Sequence, residues 1–279
     1  MPVAKGPTHQ MIPNVLSIAG SDPSGGAGIQ ADLKAISANG CYAMAAITAL
    51  TAQNTQGVRA VELVPADFVA AQIDAVFADI RVDAVKIGMI GTGDIATAVA
   101  DALRRHGARN VVLDPVMVAK GGNRLLSSEA VSVLIERLLP LAEVLTPNLP
   151  EAAALLAWAE PTEPLGMPAL AEGLRALGPR HVLLKGGHLG GDDSPDYLCT
   201  EAGGHWLEGP RTATRNTHGT GCTLSSALAA RLALTGDVLE AMRQAKAYVS
   251  GAIEHADELV VGSGHGPTHH LYALWRREQ

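Results

Sequence analysis

The sequence predicts an α/β fold with a mostly parallel central sheet. Short apolar segments alternate almost throughout with longer segments whose apolar residues recur at helical spacing, which is typical of a sheet with helices on both faces. Glycine or polar residues follow the apolar segments repeatedly, as expected where ligands bind beyond the carboxyl ends of parallel strands. A chain of 279 residues that is 47% hydrophobic can form one large core. We therefore expect a disordered tail over 1–13 and a single domain over 14–279.

The first half of the chain contains four predicted strands and three predicted helices. Apolar runs ended by glycine or polar residues predict strands over 14–20, 42–50, 84–87 and 110–113. Apolar residues on one helical face predict three helices: one with Ile29, Leu33 and Ile36, one over 65–80, and one with Ile95, Val99 and Leu103.

The second half continues the same alternation. Further strands are predicted over 143–145 and 181–184, and short candidates between 190 and 213 predict one or two hairpins. Helices are predicted over 127–139, from Pro150, over 169–177, from about Cys222, over 238–255, and after a loop at 262–267.

Composition argues against several classes of protein. The net charge is −7 and the pI is about 5.8, whereas a nucleic-acid-binding protein would carry a basic stripe. No apolar run reaches the ~20 residues that span a membrane, and the start MPVAKGPTHQ lacks the apolar core of a signal peptide. Cys41, Cys199 and Cys222 form no CxxC pair, which favours a reducing cytoplasm.

The segment TRNTHGTGCTLSSALAA, 214–230, predicts an anion site. Gly219 and Gly221 flank Thr220 and allow a tight turn into the following helix. The first helical turn offers unpaired N–H groups and the positive end of the helix dipole. Cys222 lies at the mouth, where we expect its thiol to lose its proton more easily than in free solution. The alternative is a glycine turn before a buried helix with a small apolar cysteine.

Polar residues at the strand ends predict phosphoryl transfer when they are taken as a set. Asp114 and Glu151 are carboxylates suited to Mg²⁺, and Asn148 would orient a water or a phosphate. Lys185 would pair with a phosphate leaving a nucleotide, and this reaction depends mainly on positioning and charge neutralisation. Each residue alone is equally compatible with a salt bridge or a helix cap. The chain has no Gly-Lys dipeptide of a Walker A loop and no GxGxxG motif.

Several longer segments identify a family. They are SIAGSDPSGGAGIQADLKAISANG (17–40), ITALTAQNT (47–55), VKIGMIG (85–91), VLDPVMVAKGG (112–122), LTPNLPEA (145–152), LLKGGH (183–188), NTHGTGCTLSSALAA (216–230) and GSGHGPTHH (262–270). In this order and spacing they resemble hydroxymethylpyrimidine/phosphomethylpyrimidine kinases of thiamine biosynthesis. The resemblance implies a three-layer α/β/α ribokinase-like fold, ATP and Mg²⁺, and a homodimer. It also implies two successive phosphorylations, of hydroxymethylpyrimidine and then of its monophosphate.

The resemblance also implies roles for individual residues. Those that match positions around the pyrimidine are Gly20, Gln53, Met89 and Val116. Asp32 is placed with them through a bridging water, or is otherwise a carboxylate on a helix surface. Asp114 and Glu151 match the metal and phosphate region, Lys185 the phosphate-contacting lysine, and Cys222 the catalytic base. The sequence departs from the family at Arg215, where Lys is more usual, and at Ser226, where Ala is frequent.

Three alternatives remain open from the sequence. A pyridoxal kinase of the same fold would also bind a flat ring with a hydroxymethyl group. A cysteine hydrolase would use Cys222 with His218, although no third group is evident to orient the histidine. A pyrimidine sensor would bind without turnover. Zinc at His265, His269 and His270 has no supporting Cys or Glu partner in the sequence, and a loop over 118–124 is predicted to close over the site.

Overall fold

The computed structural model describes residues 11–117 and 126–275. In chain order its strands are β1 (Asn14–Ala19), β2 (Tyr42–Ile47), β3 (Ala49–Asn54), β4 (Gly57–Leu63), β5 (Ala84–Ile87), β6 (Val111–Leu113), β7 (Val144–Leu145), β8 (His181–Leu184), β9 (Asp196–Thr200) and β10 (Gly203–Leu207). Its α-helices are α1 (Gly28–Ala38), α2 (Ala66–Asp79), α3 (Gly93–Arg105), α4 (Ser128–Val133), α5 (Leu149–Leu156), α6 (Met167–Arg175), α7 (Thr220–Thr235) and α8 (Val238–Glu254).

The predicted mostly parallel sheet is confirmed. Across the described residues, eight strands form one sheet in the order β10-β9-β8-β7-β6-β5-β1-β2. The pairs from β2 to β8 are parallel, and β9 and β10 are added antiparallel at one edge. All the parallel strands therefore end at the same edge of the sheet, and the segments that follow them meet there.

Helices cover both faces of the sheet, which confirms three α/β/α layers. One buried cluster joins residues of α2, α3, α5 and α6 to strand residues such as Leu16, Ile18 and Ile87. A second cluster, on the other face, joins residues of α1, α7 and α8 to Val15 and Ala84. Successive strand residues thus enter opposite layers, as the alternation of side chains along a strand requires. No helix among the described residues has the length and apolar character needed to cross a membrane.

The prediction of one strand over 42–50 is wrong. The strand β2 ends at Ile47, and the polar run that follows forms β3 of a separate antiparallel hairpin with β4. The hairpin turn at Thr55 and Gln56 lacks the Asn-Gly or Asp-Gly pair that marks short hairpins in a sequence. This hairpin matters for the site because it carries Gln53.

Two predicted helices also differ from the structure. The helix predicted over 127–139 is α over Ser128–Val133, π over Leu134–Leu138 and 3₁₀ over Leu139–Leu141. Pro140 lies in the 3₁₀ segment and has no N–H group to continue the α-helical pattern there. Residues 270–274 form turns instead of the predicted last helix. The predicted tail lies outside the described residues except for 11–13, and the loop predicted to close lies outside them from residue 118.

Candidate active site

A cavity of about 1190 Å³ opens at the carboxyl ends of the parallel strands. The cavity brings together all the predicted site residues except Asp32. They are Gly20, Gln53, Met89, Asp114, Val116, Asn148, Glu151, Lys185, Gly219, Thr220, Gly221 and Cys222. Gly20, Met89, Asp114, Asn148 and Lys185 reach the cavity because they follow the parallel strands β1, β5, β6, β7 and β8. Gln53 is brought there by the β3–β4 hairpin, and Gly219 to Cys222 by the start of α7.

The anion socket at the start of α7 has the geometry that its glycines predict. Gly219 caps the helix with a φ of 76°, a left-handed conformation that favours glycine. A Cβ at this position would lie 1.8 Å from the carbonyl oxygen of Gly26, so no side chain fits between the helix and the loop after β1. The first turn of α7 therefore meets the cavity with its backbone N–H groups close to any ligand.

Charged groups converge on this socket from two strand ends. The ammonium of Lys185, after β8, lies 2.9 Å from Oδ1 of Asp114, after β6. A Cβ on Gly221 would be 3.3 Å from Lys185 Nζ and 3.6 Å from Asp114 Oδ2. The backbone at the start of α7 is therefore close enough to Lys185 and Asp114 for a single bound group to contact all three. An anion held there would interact with the helix N-terminus and the lysine together.

Glu151 and Asn148 form a capping box at the start of α5. The Asn148 N–H donates to Glu151 Oε2 over 2.9 Å, and the Glu151 N–H donates to Asn148 Oδ1 over 2.8 Å. The helix-cap alternative is thus present in the structure, and the same two side chains line the cavity. Burial raises the pKa of Glu151 to about 7, against the opposing effect of the Lys185 ammonium. A cation next to Glu151 would lower that pKa and favour the carboxylate.

The oxygen donors on this wall suit an open Mg²⁺ site that is completed by water and phosphate, and not a closed site made only of protein ligands. Asp114 and Glu151 act electrostatically on the same Lys185 ammonium, and Asn148 adds an amide oxygen nearby. Mg²⁺ in phosphoryl-transfer sites takes one or two carboxylates and completes its shell with water and phosphate oxygens. No group of three or more His, Cys, Asp or Glu side chains in the described residues is arranged to hold a metal.

The thiol of Cys222 lies at the cavity and is only partly exposed. Burial raises the pKa of this thiol to about 11, even though the Lys86 ammonium and a backbone hydrogen bond with Gly28 favour the thiolate. The sequence-based expectation that the helix end makes proton loss easier is therefore wrong for the protein without ligands. The desolvation cost of the thiolate exceeds the stabilisation that the Lys86 ammonium and the Gly28 hydrogen bond provide.

A further part of the cavity wall is formed by Gly20, Met89, Val116 and Gln53. Gly20 lies against Met89, because a Cβ on this glycine would be 2.4 Å from Met89 Cε. The hydroxyl of Thr48 donates to the Met89 carbonyl over 2.6 Å and holds this segment beside the hairpin. Val116 and Gln53 are half-buried on the same cavity. This combination offers a slot for a planar ring with one amide able to contact the ring edge.

Asp32 does not line the cavity, so its direct or water-mediated contact with a substrate is not supported. It is also not a carboxylate on the helix surface. Its side chain has no exposure and contacts the Lys86 ammonium at 2.8 Å. The hydroxyls of Ser17 and Ser226 donate to the same carboxylate over 2.6 Å and 2.7 Å. Every strong acceptor position of Asp32 is therefore used within the protein.

Sequence reasoning missed Lys86, which is fully buried on β5 and reaches the cavity. The signal was present, because a lysine stands inside the four-residue apolar strand AVKI. Lysine is almost never fully buried without a partner, so this position should have suggested a buried acidic residue nearby. The partner of Lys86 could not be identified from local sequence, because Asp32 lies 54 residues away along the chain.

A second missed contact joins Asp22 and His218. Nε2 of His218 lies 2.8 Å from Asp22 Oδ2, and the same carboxylate accepts from the backbone N–H groups of Ser24 and Ala27. Burial alone would raise the pKa of Asp22, but hydrogen bonds from His218 and Ser24 hold it below its usual value. His218 thus uses Nε2 on Asp22, and none of the hydrogen bonds found in the described residues joins it to Cys222. The cysteine-hydrolase alternative has no geometric support.

The fold and the cavity together define a small-molecule kinase of the α/β/α class. The chain belongs to the phosphomethylpyrimidine kinase family, whose model matches residues 22–269. It is 54% identical over 262 residues to a hydroxymethylpyrimidine/phosphomethylpyrimidine kinase of Salmonella typhimurium, covering 94% of this chain and 98% of the relative. The family predicted from the sequence motifs is confirmed.

Two solved structures resemble the fold closely. A phosphomethylpyrimidine kinase from Clostridium difficile has a TM-score of 0.77 and 43% identity, over 86% of this chain and 99% of that chain. A pyridoxal kinase from Bacillus subtilis, solved as an ADP complex, has a TM-score of 0.86 and 36% identity, over 94% and 99% of the two chains. The ribokinase-like fold is therefore shared by kinases of both substrate classes.

Proposed function

We propose that this protein is an ATP-dependent kinase of thiamine biosynthesis. It phosphorylates 4-amino-5-hydroxymethyl-2-methylpyrimidine (HMP) and then converts the monophosphate to the pyrophosphate. The observation that carries the proposal is the arrangement of one cavity. The α7 N-terminus, Lys185 and Asp114, here called the phosphate end, meet within 3.6 Å of a Gly221 Cβ position. Gln53 and Met89 line the same cavity and form a slot for the ring.

The phosphate end neutralises charge as the phosphoryl group moves. The N–H groups of the first turn of α7 bind the transferred group, and Lys185 stabilises the charge that develops on the leaving nucleotide. Cys222 lies beside them and accepts the proton of the substrate hydroxyl. Only the thiolate form of Cys222 can accept that proton, and its raised pKa makes this form a minor fraction at neutral pH. We infer that turnover proceeds through this fraction and increases with pH.

Mg²⁺ would be held by Asp114 and Glu151, partly through water. When bound, it would neutralise phosphate charge and orient the phosphates of ATP. The use of ATP is supported by the Bacillus subtilis relative, which binds the adenine nucleotide ADP. Asn148 stands at the same wall as a further contact for a phosphate or a metal-bound water.

Pyridoxal kinase is the second candidate, and one observation favours it. The Bacillus subtilis pyridoxal kinase has a TM-score of 0.86 to this chain, higher than that of the Clostridium difficile pyrimidine kinase. Sequence points the other way, because identity is 54% to the Salmonella pyrimidine kinase and 36% to the pyridoxal kinase. We place pyridoxal as a side substrate of the same cavity.

Further expectations from the family resemblance belong to the same proposal. We infer one domain over 14–279, a homodimer, and a location in the cytoplasm, with no nucleic-acid or membrane partner. A sensor without turnover is disfavoured because the charged phosphate end, Lys185 with Asp114, would have no use in it.

The test is turnover with ATP and Mg²⁺, offering HMP, its monophosphate and pyridoxal separately, with the products identified by mass. We expect monophosphate and then pyrophosphate from the pyrimidine. Omission of Mg²⁺ with a chelator should abolish turnover and be reversed by adding the metal back. Phosphorylation of pyridoxal alone would keep the phosphate end and overturn the assignment of the ring slot.

A further inference from the structure

The side-chain amide of Gln53 has two polar neighbours, one on each side. One terminal atom lies 3.2 Å from Oγ1 of Thr51, and the other lies 3.4 Å from Nε2 of His218. The nitrogen and oxygen of an amide have nearly the same shape, so their neighbours decide which is which. Thr51 and His218 each form a hydrogen bond with another residue, and those hydrogen bonds determine which terminal atom of Gln53 is the nitrogen.

Thr51 can only accept a hydrogen bond from the amide. A hydroxyl has a single hydrogen, and that of Thr51 points to the carbonyl oxygen of Ser21 over 2.8 Å. A carbonyl oxygen cannot donate, so this hydrogen is not available to Gln53. The amide atom next to Thr51 must therefore be the NH₂ nitrogen, which donates to the hydroxyl lone pair.

His218 can only donate to the amide from Nε2. Nε2 lies 2.8 Å from Asp22 Oδ2, and both oxygens of that carboxylate already accept other hydrogen bonds. This carboxylate already accepts hydrogen bonds from three other donors and has no hydrogen of its own to give, so Nε2 carries one. An NH₂ group facing an N–H group would repel it, whereas the amide oxygen accepts a share of this hydrogen. Both neighbours therefore require the same orientation of the Gln53 amide, with its nitrogen toward Thr51 and its oxygen toward His218. An amide with Oε1 toward Thr51 would have to rotate by about 180° to reach it.

We propose that Thr51 and His218 are positioning residues that hold the Gln53 amide with its nitrogen toward Thr51 and its oxygen toward His218, and thereby select the amidine edge of an aminopyrimidine. This inference rests on the proposed function. Gln53 keeps one free N–H and one free oxygen lone pair for the cavity, in a fixed order. The ring nitrogen of HMP would accept the N–H on the Thr51 side, and the neighbouring amino group would donate to the oxygen on the His218 side.

The inference predicts discrimination between two edges of opposite polarity. In the 4-oxo analogue of HMP, a carbonyl replaces the amino group and the neighbouring ring nitrogen carries a hydrogen. Its edge thus presents acceptor and donor in the reversed order, which an amide held in one orientation rejects. An amide that rotates freely would accept either edge with little preference.

The experiment compares kcat/KM for HMP and its 4-oxo analogue in the wild type, T51V and T51S. We expect T51V, which keeps the shape and removes the hydroxyl, to reduce the amino-over-oxo ratio about tenfold, the value of one neutral hydrogen bond. The change should appear mainly in KM, and T51S should restore the ratio. An unchanged ratio in T51V, or a loss in T51S equal to that in T51V, would overturn the inference.

A double-mutant cycle shows whether Thr51 acts through Gln53. In the Q53A background, T51V should leave the ratio unchanged, because no amide remains to be held. A tenfold further loss there would mean that Thr51 acts in another way. If the wild type phosphorylates neither pyrimidine, the proposed function itself fails. If it phosphorylates HMP and T51V keeps the wild-type ratio, only the amide assignment fails.

Discussion

Lys86 on β5 and Asp32 on α1 form an ion pair from which solvent is excluded, with Nζ at 2.9 Å and 2.8 Å from the two carboxylate oxygens. Burial alone would lower the pKa of Lys86, but the neighbouring carboxylate raises it above its usual value. Ser226 links this pair to α7, one helical turn after Cys222. The ion pair therefore lies at the cavity wall near Cys222 and, with the hydroxyls of Ser17 and Ser226, joins β1, β5, α1 and α7.

Replacing Lys86 by Met should strongly destabilise the protein. The substitution leaves the Asp32 carboxylate buried without its countercharge, which typically costs about 3–5 kcal/mol. Urea unfolding would measure the loss. Arg105→Ala is the matched control, because Arg105 pairs with Asp74 at 2.7 Å on the surface and should contribute only about 0–1 kcal/mol. A Lys86→Met protein as stable as the control would contradict the importance of the pair.

The reactivity of Cys222 should increase steeply with pH. Because burial raises its pKa to about 11, the thiol should react slowly with iodoacetamide at neutral pH and faster as the pH approaches that value. Mass spectrometry of the labelled residue gives the rate. Cys222→Ala reports the background from Cys41 and Cys199, which are buried and have raised pKa values as well. Rapid labelling of Cys222 at pH 7 would contradict this assignment.

The same Cys222→Ala variant tests the proposed base. We expect it to lose most of kcat while binding ATP and HMP with little change, because a proton acceptor contributes mainly in the transition state. In the wild type, kcat should rise with pH, since the thiolate fraction increases toward the raised pKa. A variant with kcat near that of the wild type would remove Cys222 from the mechanism.

Lys185→Met should reduce kcat/KM by about 100- to 1000-fold, the usual value of one group that stabilises transition-state charge. The lysine lies 2.9 Å from Asp114 and close to the Gly221 backbone, where the transferred group would bind. Steady-state kinetics with ATP as the varied substrate gives the value. Lys34→Met is the control, because Lys34 is exposed and donates to the Gly25 carbonyl. Equal kinetics for the two variants would contradict the role of Lys185.

His270 should make the protein sensitive to acid. Burial lowers its pKa to about 3, whereas an unfolded histidine titrates near ~6.5. Between these values the unfolded chain binds a proton that the folded chain does not, so stability falls as the pH decreases. We expect His270→Gln, measured by denaturant unfolding, to remove a slope of up to about 1.4 kcal/mol per pH unit. An identical pH dependence in the variant and the wild type would contradict this.

Much of the fold was predictable from local patterns. The strand over Ala84–Ile87 and that over His181–Leu184 have the predicted bounds, because a short apolar run between turn residues has few alternatives in a parallel sheet. The glycine turn before α7 was predictable as well, since the φ of 76° at Gly219 requires a residue without a Cβ. The hairpin of β3 and β4 was not, because half-exposed polar strands resemble a loop in composition.

Contacts between distant charges could not be read from local sequence. Asp32 was assigned to the substrate because its neighbours match a family motif, but a helix position does not show which face is covered. The partner of Asp32 is Lys86, 54 residues away, and the partner of His218 is Asp22, 196 residues away. Such pairs depend on which strands become neighbours, and the order of the sheet is not a local property.

The sequence by itself determined the alternating α/β plan, the family and most of the residues at the cavity, because short-range periodicity and glycine-rich turns act locally. Only the tertiary structure decided the protonation and orientation of those residues. Burial raises the pKa of the Cys222 thiol, and the commitments of Thr51 and His218 assign the Gln53 amide. Both effects depend on desolvation and on hydrogen bonds between groups that meet only when the sheet has formed.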